Sequence, residues 1–251
     1  MPISVVTIGK NIIKQGYCWY ESLMSVLPIA NELIISEGFS DDDTLHYLMK
    51  FKNKYKKKLP ILIYQDRWEE KSYLGEVITK VSQSAIDKAT KDWVLYLQLD
   101  EVWHEDSVEH IKSIAASNEW NSASFPFFHF TRGWEPSEDG YKEAIRMIRR
   151  GRNIKLMGDA WNFEIENASP ISPAGSCPKP IYHFNWVFPK NNDIKDIEHA
   201  KIYENIPEYQ DKMREASKRL KENKVPYPMT DFNDFPKLAT RFLGKVEYPL
   251  P

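Results

Sequence analysis

Residues 92–101 of the 251-residue chain read Asp92-Trp93-Val94-Leu95-Tyr96-Leu97-Gln98-Leu99-Asp100-Glu101. The apolar run over residues 93–99 is continuous rather than alternating, which is typical of a strand in a parallel sheet with helices on both faces. The run ends in two adjacent carboxylates. We therefore predict a central buried strand that delivers Asp100 and Glu101 to the edge of a sheet.

Three earlier segments predict the remainder of that sheet. Residues 3–8, 33–35 and 61–64 are short, apolar and rich in β-branched side chains, as buried strands are. Apolar residues at helical spacing predict a helix after each segment. These helices are expected near residues 17–27, 45–49 and 74–86. The alternation of strands and helices predicts a doubly wound α/β domain.

Polar residues follow each of the four predicted strands. In a doubly wound domain, ligands bind beyond the carboxyl ends of the strands, and we expect these side chains to converge on one rim. The pairs are Lys10 and Asn11, Ser36 and Glu37, Gln65 and Asp66, and Asp100 and Glu101.

The second half of the chain has a different pattern. Aromatic strand-like runs at residues 125–130 and 181–187, with shorter runs at 145–149 and 161–165, predict added strands that form the second wall of a cleft. A helical stretch over about 194–222 and a proline-rich tail from residue 225 are expected to follow.

Composition excludes several classes of protein. The chain is 42% hydrophobic and 28% charged, which excludes a wholly disordered chain, and its net charge of −2 gives no global attraction to nucleic acid or anionic lipid. No signal peptide and no apolar window of ~18 residues is evident, so neither export nor a membrane span is expected. Cys18 and Cys177 are too few and too distant for a disulfide framework, which favours the cytoplasm.

The stretch at residues 92–101 resembles the Asp-x-Asp segment of family-2 glycosyltransferases with the GT-A fold. Other segments agree with that family in the same order: Ile3-Ser4-Val5-Val6 with Asn11, Ile34-Ile35-Ser36-Glu37-Gly38, Gln83-Ser84-Ala85 and, more loosely, Gly158-Asp159-Ala160 and Tyr182-His183-Phe184. The resemblance implies an α/β fold of the GT-A type, a doubly wound mixed sheet flanked by helices. It implies a catalytic domain over 1–190, with a nucleotide-binding half (1–110) and an acceptor-side half (111–190), and a helical, proline-rich extension over 191–251.

The resemblance also implies a donor site. Glu37 would face the base or ribose of a nucleotide, with Asp66, Gln98 and Asp100 in the same site. Asp100 would hold Mg²⁺ or Mn²⁺ on the donor diphosphate, and His183 could complete the metal shell. Gln98 stands where the family has the first acid, and it brings no charge to the ion. His183 could equally be an aromatic-flanked core histidine.

Transfer with inversion requires a carboxylate that takes the proton of the acceptor hydroxyl. Asp159 is the first candidate for this base and Glu101 the second, although a Gly-Asp pair is most commonly a turn. Trp161 and Trp186 are the acceptor-side candidates, with Trp134 as a third indole that could stack on a sugar. His104 and His129 are weaker ligand candidates.

Two basic runs remain. The lysines between Lys50 and Lys58 are interpreted as a solvated helix end. The second run could hold donor phosphates or an anionic acceptor, or could be a solvated surface. It comprises Arg146, Arg149, Arg150, Arg152 and Lys155.

The leading hypothesis is a glycosyltransferase that moves a sugar from a nucleotide donor to a hydroxyl of a saccharide, a lipid-linked glycan or a protein, with a divalent metal. A binding or scaffold protein that has lost catalysis is the second hypothesis, motivated by Gln98. A nucleotidyltransferase is the third, and it would need a glycine-rich, basic loop after the first strand. Gly9-Lys10-Asn11 is too sparse for such a loop.

Overall fold

The computed structural model describes residues 1–68, 75–131, 135–137, 140–151, 153–165, 169–184, 187–202, 206–222, 236–242, 245 and 247–251. Its strands are β1 (Ile3–Gly9), β2 (Glu32–Glu37), β3 (Ile61–Gln65), β4 (Trp93–Leu97), β5 (Glu101–Trp103), β6 (Ser122–Thr131), β7 (Glu135–Ser137), β8 (Glu143–Arg149), β9 (Ile154–Met157), β10 (Asn162–Ile165), β11 (Ile171–Ser172) and β12 (Ile181–His183). Its helices are α1 (Trp19–Val26), α2 (Thr44–Tyr55), α3 (Glu76–Ile86), α4 (Val108–Ala116), α5 (Pro189–Ile202) and α6 (Pro207–Glu222).

The main sheet has the strand order β3-β2-β1-β4-β8-β6-β12-β5. The first four strands run parallel to one another, as the sequence predicted. β8 then runs antiparallel to both β4 and β6, and β12 lies parallel to β6 and antiparallel to β5. The predicted α/β class with a mixed sheet flanked by helices is confirmed.

The sheet is buried on both faces, which explains the continuous apolar runs. Val5 of β1 packs in one hydrophobic cluster with Leu23 of α1 and Phe51 of α2. Its neighbour Val6 points to the other face and packs in a second cluster with Ala85 of α3. Successive residues of a strand alternate between faces, so a strand between two helical layers needs apolar side chains at every position.

Two predicted boundaries were wrong. The strand predicted over 93–99 ends at Leu97, because a turn intervenes before β5: the Glu101 amide donates to the Gln98 carbonyl (3.0 Å) and the Gln98 amide to the Glu101 carboxylate (3.3 Å). The helix predicted over 194–222 is two helices, α5 and α6. Pro207 opens α6, where its missing amide hydrogen removes no helical hydrogen bond.

The last described residues pack back onto α1. Residues 225–235, the start of the predicted tail, lie outside the described residues, and Lys237–Phe242 forms a short 3₁₀ helix. The Tyr248 hydroxyl donates to buried Glu21 of α1 (2.6 Å), and Arg241 pairs with the same carboxylate. Cys18 and Cys177 are both buried, free thiols. Among the described residues, no helix is both long enough and apolar enough to cross a lipid bilayer.

Candidate active site

A cavity of about 490 Å³ opens beyond the carboxyl ends of β1 and β4. This is where a doubly wound sheet is expected to bind ligands. The residues after β1 and β2, the turn after β4, the turn between β9 and β10, β12 and α5 all contribute to its walls. The polar and aromatic lining includes Lys10, Asn11, Tyr17, Phe39, Trp68, Gln98, Asp100, Tyr141, Asp159, Trp161, His183, Glu198, His199 and Lys201.

The structure separates the predicted site residues into two groups. Those that line the cavity are Gln98, Asp100, Asp159, Trp161 and His183. Those that lie near it but outside its lining are Glu37, Asp66 and Glu101. Trp134, Arg152 and Trp186 lie outside the described residues.

The Asp100 carboxylate is the centre of the charged network. The side chain is almost fully buried, with Oδ2 lying 3.1 Å from Nζ of Lys195 and Oδ1 lying 3.4 Å from Nε2 of His183. Burial alone would raise the pKa of Asp100, but the Lys195 ammonium, together with the charge and the hydrogen bond of His183, outweighs it and holds that pKa well below its usual range. Asp100 is therefore a carboxylate at neutral pH.

A second histidine fixes the orientation of His183. The His129 Nε2 atom lies 2.8 Å from the Tyr141 carbonyl oxygen, which can only accept, so Nε2 carries the proton. The His129 Nδ1 atom must then accept from Nδ1 of His183, 2.9 Å away. Burial, followed by repulsion from His183, lowers the pKa of His129 to about 4, so this ring is neutral at neutral pH. His183 consequently directs Nε2 at Asp100.

Lys195 comes from α5, outside the predicted catalytic domain. Its ammonium is buried and also lies 4.1 Å from the ring centroid of Tyr17. Burial lowers the pKa of Lys195, and the charge of Asp100 opposes that effect. Burial also raises the pKa of Tyr17 well above its usual value, and the carboxylates of Asp100 and Asp159 raise it further. The charges of Asp100, Asp159 and Lys195 thus act on one small volume.

These residues do not fit a divalent cation. Asp100 and His183 are ligand types that Mg²⁺ or Mn²⁺ accepts, but Oδ2 of Asp100 is already paired with Lys195. Gln98 adds no charge, and its Nε2 donates to the Ala160 carbonyl (3.3 Å). Within the described ranges no three histidine, cysteine, aspartate or glutamate side chains are grouped as metal ligands. The Asp100 carboxylate, on which the resemblance placed the ion, is thus already paired with an ammonium group.

Asp159 lies in a constrained turn on the cavity wall. Gly158 and Ala160 on either side have φ values of 55° and 63°, and the second is unfavourable for a residue with a Cβ. The Gly158 carbonyl accepts from Thr79 of α3 (2.5 Å), and the Ala160 carbonyl accepts from Gln98. These bonds tie the turn to α3 and to the end of β4. Asp159 is therefore the candidate base that faces the cavity.

Glu101 lies behind the cavity instead. Its carboxylate accepts from Nη2 of Arg146 at 2.6 Å and from Nε of the same residue, and both side chains are completely buried. Arg146 also donates to the Trp161 carbonyl (2.7 Å) and to the Tyr141 hydroxyl (3.2 Å). The Tyr141 and Trp161 rings lie 5.3 Å apart. The buried ion pair thus supports the aromatic wall of the cavity.

The second basic run does not line the cavity in its described part. Arg146 is buried as above, Arg149 donates to the carbonyls of Ser117 and Trp120, and Arg150 donates to the Lys91 carbonyl. Arg150 and Lys155 are exposed, in agreement with the alternative of a solvated surface, whereas Arg146 is buried, which neither alternative predicted. His104 is a structural residue, since its Nδ1 accepts from the Asp106 amide (3.1 Å).

Glu37 shapes the loop that presents Phe39. Its buried carboxylate accepts from the amides of Phe39 (3.2 Å) and Ser40 (2.7 Å) and from the Gln65 side chain (2.8 Å). Phe39 has a φ of 52°, which is an unfavourable backbone conformation for a residue with a Cβ. Its aromatic ring lines the cavity and is 53% exposed. Sequence reasoning missed Phe39, although its place directly after Glu37-Gly38 was a usable signal. The backbone amide of Asp66 donates a hydrogen bond to the Glu37 carbonyl oxygen (2.9 Å).

Helix α5 contributes Glu198, His199, Lys201 and Ile202 to the wall of the cavity. Glu198 accepts from the Asn11 side chain (3.2 Å) and pairs with Lys14 (3.2 Å), while Asn191 donates to the Lys14 carbonyl (3.0 Å). The predicted boundary at residue 190 stays a prediction, but α5 begins at Pro189 and crosses it. No local signal in the sequence indicated that α5 would contribute to the site.

No protein-family model and no curated protein sequence matches the chain. Among solved structures, S. aureus TarS matches with a TM-score of 0.51 and 15% sequence identity. The matched region covers 80% of this chain and 43% of the TarS chain. TarS 1-349 in complex with UDP-GlcNAc matches with a TM-score of 0.51 at 14% identity over 87% of this chain and 72% of its own. The mannosyltransferase PcManGT from Pyrobaculum calidifontis, in complex with GDP-Man and Mn²⁺, has a TM-score of 0.47 at 11% identity over 87% of this chain and 69% of its own. The chain has a GT-A-like glycosyltransferase fold, as the resemblance implied.

Proposed function

We propose that the protein is a family-2-like glycosyltransferase that moves a sugar from a nucleotide-sugar donor to a hydroxyl group, with inversion. One observation carries the proposal: Asp100 and Asp159 face a single cavity at the carboxyl ends of β1 and β4. The likeness of the fold to a TarS structure that holds UDP-GlcNAc supports the same donor class. The acceptor would be a saccharide, a lipid-linked glycan or a protein.

The donor would bind between Phe39 and Asp100. Phe39 offers an exposed ring on which a nucleotide base can stack, and Glu37 holds the backbone of that loop in place. Asp66 borders this part of the site. The diphosphate would lie near Gln98, Asp100 and His183, which all line the cavity.

The acceptor would approach from the side of Asp159. As the acceptor oxygen attacks the anomeric carbon, its proton passes to the Asp159 carboxylate, and the bond from that carbon to the diphosphate oxygen breaks. The nucleoside diphosphate leaves with the bonding electron pair. Trp161, and Trp186 in the predicted arrangement, would stack on the acceptor sugar.

Gln98 favours a second candidate function. At residue 98 a neutral amide stands in place of the first acid of the motif, and a protein that binds a nucleotide sugar without turning it over would tolerate this replacement. The two candidates share donor binding and differ in donor turnover. Release of nucleoside diphosphate from a nucleotide sugar therefore separates them.

Donor binding is expected to stabilise the protein against heat. A nucleoside diphosphate at ~100 times its dissociation constant adds ~2.7 kcal/mol, which is about 5–10 °C in melting temperature for a chain of this size. A panel of uridine, guanosine, cytidine, adenosine and thymidine diphosphates, each with its monophosphate, identifies the base by differential scanning fluorimetry. If no nucleotide shifts the melting temperature at millimolar concentration, with or without Mn²⁺, the proposed function is wrong.

Phe39→Ala should weaken binding of the selected nucleotide by about 5- to 150-fold, because base stacking on an aromatic contributes about 1–3 kcal/mol. Met49→Ala is the matched control, since Met49 is likewise exposed (40%) but lies outside the cavity lining. Isothermal titration measures both variants. Equal affinity of the Phe39→Ala variant and the parent would exclude Phe39 from the base site.

A further inference from the structure

We propose that the Tyr17 hydroxyl donates a hydrogen bond to the diphosphate oxygen that carries the sugar in the donor, and that this bond stabilises the oxygen as the sugar leaves. The inference rests on the proposed function and deepens it. The bond from the anomeric carbon to this oxygen breaks, the oxygen keeps the electron pair, and the proton of Tyr17 stays on the phenol. Tyr17 is a residue that the sequence pattern placed only in the first predicted helix.

Tyr17 lies close to both carboxylates on which the proposed reaction depends. It lines the same cavity as Asp100 and Asp159, and its ring centroid lies 4.1 Å from Nζ of Lys195, the partner of Asp100. In the proposed reaction the diphosphate lies beside Asp100 and the acceptor beside Asp159. The bond that breaks joins these two sides, so Tyr17 is next to it.

The Tyr17 hydroxyl is available to a ligand. Among the described residues none forms a hydrogen bond with it, and it is not one of the side-chain oxygens sealed from solvent, so it opens to the cavity. A phenol is protonated at neutral pH, and burial, followed by the charges of Asp100 and Asp159, raises the pKa of this one further. Tyr17 therefore presents a proton for an acceptor in the cavity.

Much of the charge in the cavity lining is already compensated. The carboxylate of Asp100 pairs with Lys195, that of Asp41 with Lys14 (2.6 Å), and that of Glu198 with Lys14 (3.2 Å) and Lys201 (2.8 Å). Asp159, the remaining carboxylate of the lining, belongs to the acceptor side. A diphosphate beside Asp100 therefore meets carboxylates whose charge is balanced, and it still needs hydrogen-bond donors.

Other donors of the lining are engaged or lie elsewhere. Gln98 donates to the Ala160 carbonyl (3.3 Å), and Nε2 of His183 is directed at Asp100 (3.4 Å). Lys10 belongs to the Phe39 end of the cavity, because a Cβ on the intervening Gly38 would lie 2.7 Å from the Lys10 Cβ. The Tyr17 hydroxyl is thus a donor on the Asp100 side whose proton is not committed.

The backbone holds Tyr17 in a fixed position. Its amide donates to the Ile12 carbonyl (3.0 Å), which closes the loop after β1. Gly16 has a φ of 66° and packs so closely against Asn191 of α5 that a Cβ would not fit between them. A donor that is already in place stabilises developing charge without a cost of reorganisation.

The first test is the affinity of Tyr17→Phe for three ligands, measured by isothermal titration. Phenylalanine keeps the ring and removes only the hydroxyl, so fold and melting temperature should barely change. The free nucleoside diphosphate carries full charge on the oxygen that bears the sugar in the donor, and its affinity should fall about tenfold or more. Affinity for the nucleotide sugar and for the nucleoside monophosphate should stay within about threefold of the parent.

The second test is the rate of nucleoside diphosphate release. The substrates are the glucose, galactose, mannose and N-acetylglucosamine conjugates of the nucleoside diphosphate that the melting panel selects. Tyr17→Phe should lower the rate by about 10²- to 10³-fold, the usual loss when one donor to a developing oxyanion is removed. Tyr47→Phe is the matched control, since Tyr47 of α2 packs against Trp19 (6.1 Å between centroids) outside the cavity lining and should behave like the parent.

The possible failures are distinguishable. Parent-like affinity of Tyr17→Phe for the nucleoside diphosphate, or a release rate within about threefold of the parent, would overturn the inference and leave the proposed function standing. An equal loss of affinity for the nucleotide sugar would overturn it as well, because the hydroxyl would then contact a group other than the leaving oxygen. A parent that binds no nucleoside diphosphate, or releases none from these conjugates, would overturn the proposed function and the inference together.

Discussion

Asp159→Asn is expected to lower the rate of sugar transfer by about 10²- to 10⁴-fold, the usual loss when a general base is removed. Asparagine keeps the shape of the side chain and much of its hydrogen bonding, but it cannot take the acceptor proton. Donor affinity and melting temperature should barely change, because the turn at Gly158 and Ala160 is held by backbone carbonyls that the substitution leaves in place. The assay follows nucleoside diphosphate release, with donor hydrolysis as the reaction where no acceptor is known.

Asp87→Asn is the matched control for Asp159→Asn. Asp87 is an exposed aspartate after α3, outside the cavity lining, and the same substitution there should leave the rate unchanged. If Asp159 were only a turn residue, asparagine would serve nearly as well. A rate within about threefold of the parent would therefore reject Asp159 as the base.

Arg146→Met is expected to lower the free energy of unfolding by about 3–5 kcal/mol, because it leaves the Glu101 carboxylate buried without its partner. The two side chains are completely buried and their closest atoms lie 2.6 Å apart. The Trp161 carbonyl and the Tyr141 hydroxyl lose a donor at the same time. Urea unfolding followed by tryptophan fluorescence measures the change.

Two controls isolate the cause of that loss. Arg214→Met removes an arginine of α6 that pairs with Asp211 in solvent, and should cost at most about 1 kcal/mol. Combining Arg146→Met with Glu101→Leu removes both buried charges and should recover part of the lost stability. A loss for Arg146→Met no larger than that for Arg214→Met would contradict the account of the buried pair.

The sequence predicted the parallel half of the fold well, and the reason is physical. Strands buried on both faces need apolar residues at every position, so β1, β2, β3 and β4 can each be recognised from a short continuous apolar run in the sequence. The strand ends were also predictable: Asn11 and Asp100 both reach the cavity. Glu37 does not line it, because its carboxylate binds two backbone amides of the following loop, a detail of loop geometry that strand periodicity does not encode.

The parts of the fold and of the candidate site that the sequence did not predict depend on contacts between distant parts of the chain. Lys195 meets Asp100 across 95 positions, and Arg146 meets Glu101 across 45. Neither lysine nor arginine carries a local signal that distinguishes a buried partner from a solvated surface. Arg146 stands in a run of basic residues, from which the sequence predicted a phosphate site or a solvated surface. In the structure it lies in β8 and its side chain is buried.

A crystal structure of the protein with its preferred nucleoside diphosphate tests the central claim most directly. The account predicts that the nucleotide occupies the 490 Å³ cavity, with the base on Phe39 and the diphosphate beside Gln98, Asp100 and His183. A nucleotide bound outside this cavity would contradict the proposed donor site. A nucleotide inside it with its diphosphate away from Asp100 and His183 would contradict the assignment of those two residues.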